Sequence, residues 1–155
     1  MPVKILMVCL GNICRSPLAE GIMRSKLPAD KFVVDSCGTG RYNIGERPDK
    51  RSILVAQQRG LDISCGLARQ LSAEDFNAFD HIFVMDNANF RDVIKIAPDD
   101  ASKAKVQMMM DALHPGKLMD VPDPYFGTQE GFDKVYEMLD EACTVVAEKL
   151  IKEHS

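Results

Sequence analysis

The chain has 155 residues, enough for one ordinary domain with a single sizeable core, and its apolar (46%) and charged (27%) fractions exclude a disordered or fibrous protein. Its 19 Lys and Arg stand against 23 Asp and Glu, and the net charge of −4 gives no support to nucleic-acid binding. No apolar run reaches membrane-span length, and the 5 cysteines, an odd number without paired spacing, argue against a disulfide framework and for a reducing cytosol.

Predicted elements alternate along the chain. Residues 3–8 are an apolar run of strand length, too short and wrongly flanked for a signal peptide. A helix follows to about residue 27, with Ser16 as its N-cap, Pro17 at its first position and Leu18, Ile22 and Leu27 as its apolar stripe. A second strand over 32–36 is broken by Cys37-Gly38-Thr39-Gly40. A long loop then leads to Pro48, which opens a helix carrying Ile53, Leu54 and Ala56 and stopped at Arg59-Gly60. Residues 71–75 read as a short helix capped at Ser72, and 81–85 as a third strand. Asp86 or Asn87 caps the next helix, which runs through Ile96. Residues 105–107 make a short fourth strand, the Met108-Met109-Met110 run reads as core, and 115–127 is a loop dense in Pro and Gly. The last helix is the clearest, with Phe132, Val135, Tyr136, Leu139, Cys143, Val146 and Leu150 on one face. Strands alternating with helices predict a parallel sheet covered on both sides, a single doubly wound α/β domain over residues 1–155.

The chemistry lies between the first strand and the first helix. Cys9-Leu10-Gly11-Asn12-Ile13-Cys14-Arg15-Ser16-Pro17 sets a thiol and a guanidinium six positions apart. A strand–loop–helix unit aims backbone N–H groups and the positive end of a helix dipole at one concave spot, which is an anion site. That field favours a thiolate. Alone, Cys9 reads first as a buried structural thiol; Arg15 beside it makes it a nucleophile. Arg15 itself is a poor helix-start residue, since a cation there opposes the dipole, and the misfit hints at function. Gly11 and Asn12 sit mid-loop, where positive φ is expected, either for a simple turn or for close approach to a ligand. Cys14 is a loop filler, or a thiol near enough to Cys9 for a disulfide. Asp123, between Pro122 and Pro124, is a turn residue or an acid held in place to protonate a leaving group. Tyr42, Tyr125 and Phe126 each read individually as core packing. The scattered His81, His114 and His154 do not make a zinc site with the cysteines.

The segment Val8 to Pro17 resembles the signature of the low-molecular-weight protein tyrosine phosphatases, and Asp123-Pro124-Tyr125-Phe126-Gly127 resembles that family's general-acid loop. Asp35-Ser36, Ala68-Arg69-Gln70, Phe79-Asp80 and Met85-Asp86 through Arg91-Asp92 fall where the family has similar segments. The resemblance implies a flavodoxin-like fold, four parallel strands in order 2-1-3-4 with the loop at the carboxyl edge of the first. It implies a phosphatase acting on phosphotyrosine and aryl phosphates through a phosphocysteine on Cys9. Arg15 would clamp the phosphoryl group, and Asp123 would act as general acid and then as base. Leu10, Gly11, Asn12, Ile13, Cys14 and Ser16 would form the phosphate-binding loop, with Ser36 and Asp92 supporting it and the Ser16 hydroxyl donating toward the sulfur. Tyr42, Tyr125 and Phe126 would be the rim of a pocket whose depth favours phosphotyrosine over phosphoserine, and Cys14 a resolving thiol that protects oxidised Cys9. One departure stands out. Gly66 lies where many relatives carry a histidine that helps orient the loop asparagine, so other contacts must hold Asn12 here.

The expected partners are phosphotyrosine proteins as substrates and phosphate, vanadate and similar oxyanions as inhibitors. No cofactor, metal, nucleic acid or membrane is expected; the protein would be cytoplasmic, a monomer or weakly self-associating. The alternatives are a protein-arginine phosphatase, whose loop typically has Thr where this one has Ile13, and an arsenate reductase, which needs cysteines that residues 80–111 lack. A non-catalytic phosphate-binding module would have no use for nucleophile, clamp and acid together. A nucleotide hydrolase lacks its Gly-x4-Gly-Lys-Ser/Thr segment.

Overall fold

The structure, a computed structural model, describes residues 1–155. Its centre is strand β1 (Val3–Cys9). Side chains alternate across a strand, and both faces of β1 are covered: Ile5, Met7 and Cys9 join one core, Leu6 and Val8 the other. That is why residues 5–8 are continuously apolar, for a central parallel strand has no wet face. β1 pairs in parallel with β2 (Phe32–Gly38) on one side and β3 (His81–Val84) on the other, and β4 (Val106–Met108) extends the sheet beyond β3. The order is therefore 2-1-3-4, the flavodoxin-like arrangement expected.

On one face lie α1 (Arg15–Lys26), α2 (Lys50–Gln58) and, later in the chain, the long α6 (Gln129–Glu153). The whole predicted stripe of α6, from Phe132 to Leu150, is buried, each such side chain contributing about 1.5–3 kcal/mol of transfer free energy. On the other face α3 (Asp75–Ala78) and α4 (Asn87–Ile96) bring Phe76 and Val93 onto Leu6, Val8, Ile82 and Val84. A short α5 (Asp100–Lys103) precedes β4, and a 3-10 turn (Met109–Ala112) buries Met109 and Met110 after it. No helix is long and apolar enough to cross a membrane.

Several boundaries differ from expectation for physical reasons. The first helix starts at Arg15 with Cys14 in the cap position, so Ser16 lies inside it and is not the N-cap. Pro17 is tolerated there because first-turn N–H groups need no helical partner. β2 runs on through Cys37 and Gly38. α2 is capped by Asp49, one residue after Pro48, and the short third helix begins at Asp75, with the Ser72 amide donating back to its carboxylate.

The direction in which successive strands are added reverses between β1 and β3, since β1 leads outward to β2 on one side while β3 leads to β4 on the other. The carboxyl ends of β1 and β3 therefore flank a crevice that no crossover fills, the usual place for a ligand in such sheets.

Candidate active site

Cys9 is the last residue of β1, and residues 10–14 curl from it into α1. The outer carbonyls of this loop are tied to neighbouring elements. Thr39 N–H donates to Cys9 O (2.9 Å), Gly40 N–H to Leu10 O (2.9 Å), and Asp49 N–H to Ile13 O (2.7 Å). The Ser52 hydroxyl reaches Cys14 O at 3.3 Å. No backbone N–H of residues 10–14 donates to a protein acceptor. A run of free amides in front of a helix N-terminus is suited to an oxyanion.

The loop takes one left-handed residue, Asn12, with φ of 58°; Gly11 does not share it. What Gly11 and Gly38 supply is room. A Cβ on Gly11 would meet Asn43 Oδ1 at 2.6 Å, and one on Gly38 would meet Leu10 O at 2.5 Å. Asn12 is 3% exposed, and its amide is fully used. Nδ2 donates to Ser16 Oγ (2.7 Å) and Ser36 Oγ (3.0 Å), while Oδ1 accepts the Arg69 N–H (3.1 Å). Three hydrogen bonds of about 1 kcal/mol each suffice to hold a left-handed non-glycine. The departure at Gly66 is thus met without an imidazole. Ser36 donates onward to Glu20, which Arg24 holds, and a polar cavity of about 130 Å³ lies between Glu20, Arg24, Ser36 and Gly66.

With Asn12 occupying one lone pair of Ser16 Oγ, the hydroxyl sits 3.0 Å from Cys9 Sγ and 3.3 Å from Cys37 O. A thiolate would take its single proton. This is why Ser16 is no helix cap: its oxygen is engaged with Asn12 and Cys9.

Arg15 is 2% exposed, and its misfit with the dipole is resolved by Asp86. Nη1 donates to Asp86 Oδ2 (2.7 Å) and Val121 O (2.8 Å), and Nη2 lies 3.7 Å from Asp123 Oδ2. Both Nη1 protons are therefore spent behind the guanidinium, while Nε and Nη2 have no protein hydrogen-bond partner. Burial by itself lowers the Arg15 pKa, but the negative charges of Cys9 and Asp86 outweigh it and hold the guanidinium charged.

Asp123 stands at the mouth, half exposed, with Oδ1 accepting the Tyr125 N–H at 3.1 Å. Its loop is pinned below by Val121, whose N–H donates to Met85 O at the end of β3 (2.7 Å). Cys9, Arg15 and Asp123 line one cavity of about 240 Å³ with Leu10, Ile13, Tyr42, Tyr125 and Phe126. Cys9 is 3% exposed at the floor, whereas Tyr42 and Phe126 are 88% and 95% exposed at the rim. These aromatics are not core packing.

Asp92 makes no side-chain hydrogen bond or ion pair; the support expected of it comes from Asp86. Sequence reasoning saw Asp86 only as a helix cap. It is one, through Oδ1 to the Asn89 N–H, and Oδ2 holds Arg15. Its place two residues past β3, at the carboxyl edge of the strand beside β1, is the signal that marks it. Arg69 is legible in the sequence only as part of the Ala68-Arg69-Gln70 segment, with no role attached. Cys14 lies buried in the loop, and burial first, then Asp49 and Cys9, push its thiol up to about 12.

Comparison with known proteins agrees with this geometry. The family model for low molecular weight phosphotyrosine protein phosphatase matches residues 4–155. The enzyme of that name from Schizosaccharomyces pombe is 42% identical over 142 residues, covering 88% of this chain and 90% of its own. A protein tyrosine phosphatase from Entamoeba histolytica, solved with Hepes in the active site, superposes with a TM-score of 0.91 at 37% identity, over 97% of this chain and 98% of that one. Vibrio vulnificus Wzb in complex with benzylphosphonate gives 0.86 at 31% identity, over 95% and 98%.

Proposed function

Because the chain belongs to the low molecular weight phosphotyrosine protein phosphatase family and is a phosphatase, we propose that it hydrolyses phosphotyrosine and related aryl phosphates through a phosphocysteine on Cys9. The observation that carries this reading is Cys9, Arg15 and Asp123 around one cavity, thiol at the floor and acid at the mouth.

The phosphoryl oxygens are held by the free amides of residues 10–14 and by the Nε/Nη2 edge of Arg15, a fork that matches two equatorial oxygens. Cys9 Sγ attacks phosphorus in line. The S–P bond forms as the P–O bond to the phenol breaks, and Asp123 gives its proton to the departing oxygen. Asp123, now a carboxylate, takes a proton from the water that attacks the phosphocysteine. Cys9 leaves as a thiolate that the Ser16 hydroxyl stabilises, and inorganic phosphate is released. Phosphate and vanadate would compete for the same cradle.

Ile13, Tyr42, Tyr125 and Phe126 form the wall that receives the ring, and benzylphosphonate, the ligand of the Vibrio relative, carries such a ring. Ile13 offers a guanidinium no hydrogen bond, which favours tyrosine over arginine. Asp123→Ala tests the acid role. It lowers kcat/KM for phenyl phosphate by about 10²–10⁴-fold and that for p-nitrophenyl phosphate far less, because nitrophenolate leaves without a proton. Equal losses for the two esters would contradict the role.

We also propose that Cys14 protects the nucleophile. Peroxide converts the Cys9 thiolate to a sulfenic acid; the Cys14 sulfur attacks it, the S–S bond forms and water leaves. The free thiols of the chain fit a reducing compartment such as the cytoplasm, which would reverse the bond. With its pKa pushed up to about 12, Cys14 is almost wholly protonated at neutral pH, and its thiolate fraction rises with pH. Activity lost to peroxide should return on adding thiol in the wild type and not in Cys14→Ser, with disulfide closure faster at higher pH. Equal recovery in the variant would remove the role.

A further inference from the structure

Arg51 is a second side chain, besides Arg15, through which the phosphate loop and the acid loop are joined. It lies in the first turn of α2, and that turn already holds the phosphate loop from behind, through Asp49 N–H to Ile13 O (2.7 Å) and Ser52 Oγ to Cys14 O (3.3 Å). Asp49 fixes Arg51 from two sides. Its Oδ1 accepts both the Arg51 backbone N–H (2.9 Å) and Nε (3.0 Å), and its Oδ2 accepts Nη2 (3.0 Å). The guanidinium then extends across to residues 125–127, Nη2 donating to Tyr125 O (2.8 Å) and Nη1 to Gly127 O (3.1 Å). Its plane also lies over the Phe132 ring, 4.5 Å from the centroid, and Gln129 Nε2 returns a hydrogen bond to Arg51 O (3.1 Å).

These contacts matter because little else holds the outer half of the acid loop. Val121 ties its inner end to β3 and to Arg15, whose Nη2 also lies 3.7 Å from Asp123 Oδ2, and the hydrogen bonds within the loop are Tyr125 N–H to Asp123 Oδ1 and Gly127 N–H to Pro124 O. Phe126 is almost fully exposed and Tyr125 partly so. A carboxyl on such a loop transfers a proton only if it stays within hydrogen-bond reach of the leaving oxygen.

On the reading given above, we infer that Arg51 is a positioning residue for Asp123. It bolts the outer end of the acid loop to the same helical turn that holds the phosphate loop, so that acid and nucleophile share one frame. Arg51 touches neither the phosphoryl group nor the leaving group. Lysine could satisfy one of the two carbonyls but neither both nor the Asp49 fork.

The experiment compares kcat/KM for phenyl phosphate and p-nitrophenyl phosphate in the wild type, Arg51→Gln and Arg51→Lys, with vanadate affinity and thermal unfolding measured alongside. Arg51→Gln is expected to lose about tenfold to a hundredfold on phenyl phosphate, the scale for a displaced catalytic group. It should lose several-fold less on p-nitrophenyl phosphate, with vanadate binding retained, and Arg51→Lys should recover part of the difference. Equal losses on both esters, loss of vanadate binding in step with activity, or no loss at all would each overturn the inference. Should Arg51→Gln fail to fold, the ratio of the two esters in Arg51→Lys decides in the same way. Wild-type protein that hydrolyses neither ester would overturn the parent reading and this one with it; uniform losses in an active wild type overturn this one alone.

Discussion

Cys9→Ser is expected to lower kcat for aryl phosphates by about 10⁴–10⁶-fold, the scale seen when a nucleophile is removed from a working site. The reason lies in the immediate surroundings of Sγ. A thiol needs only the loop amides and a cation to be ionised near neutrality, but a serine hydroxyl needs a neighbouring base. None is in hydrogen-bond contact with Cys9, whose partner is the Ser16 hydroxyl at 3.0 Å. The oxyanion cradle does not depend on sulfur, so phosphate should still bind to the variant. Titration of phosphate together with steady-state rates checks both halves. Activity within tenfold of wild type would mean that Cys9 is not the nucleophile.

The second large effect belongs to Arg15→Lys, expected to reduce kcat/KM by about 10²–10³-fold, as removal of an oxyanion donor does elsewhere. The guanidinium serves two sides at once, Nη1 on Asp86 and Val121 O, Nε and Nη2 toward the cradle. A lysine ammonium is a point donor and cannot do both. Turning to the cradle, it leaves the buried Val121 carbonyl without a donor, at a cost of about 1–3 kcal/mol, and strips Asp86 Oδ2 of its partner. Turning away, it leaves the phosphoryl oxygens without their clamp. Near-normal kinetics would sink the clamp role.

How far the chain could be read in advance depended on whether a signal was local. The apolar run of β1, the stripe of α6 and the spacing of Cys9 to Arg15 are local patterns, and they placed the sheet centre, the covering helix and the floor of the pocket. Ser16 was misread because its best local use, a helix cap, lost to a tertiary one, bonding Asn12 and facing Cys9. Asp86 was half read, since the cap is local while the bond to Arg15 spans 71 positions. The contacts that hold Asn12 and the acid loop come from Arg69 and Arg51, across separations of 57 and 74 to 76 positions. No periodicity or spacing announces such a contact. Gly38 looked like a strand breaker, and its real function is to let the end of β2 lie against Leu10.

The most direct test of the account is to ask where the phosphoryl group resides during turnover. Asp123→Asn protein, slowed in the water-activating step, is mixed with p-nitrophenyl phosphate, acid-quenched within one turnover and mapped by peptide mass spectrometry. A phosphoryl adduct on Cys9, equal in amount to the released nitrophenol and absent from Cys9→Ser, is the predicted result. A phosphoryl group on any other residue, or nitrophenol release with no enzyme-bound phosphate at any time, would contradict it.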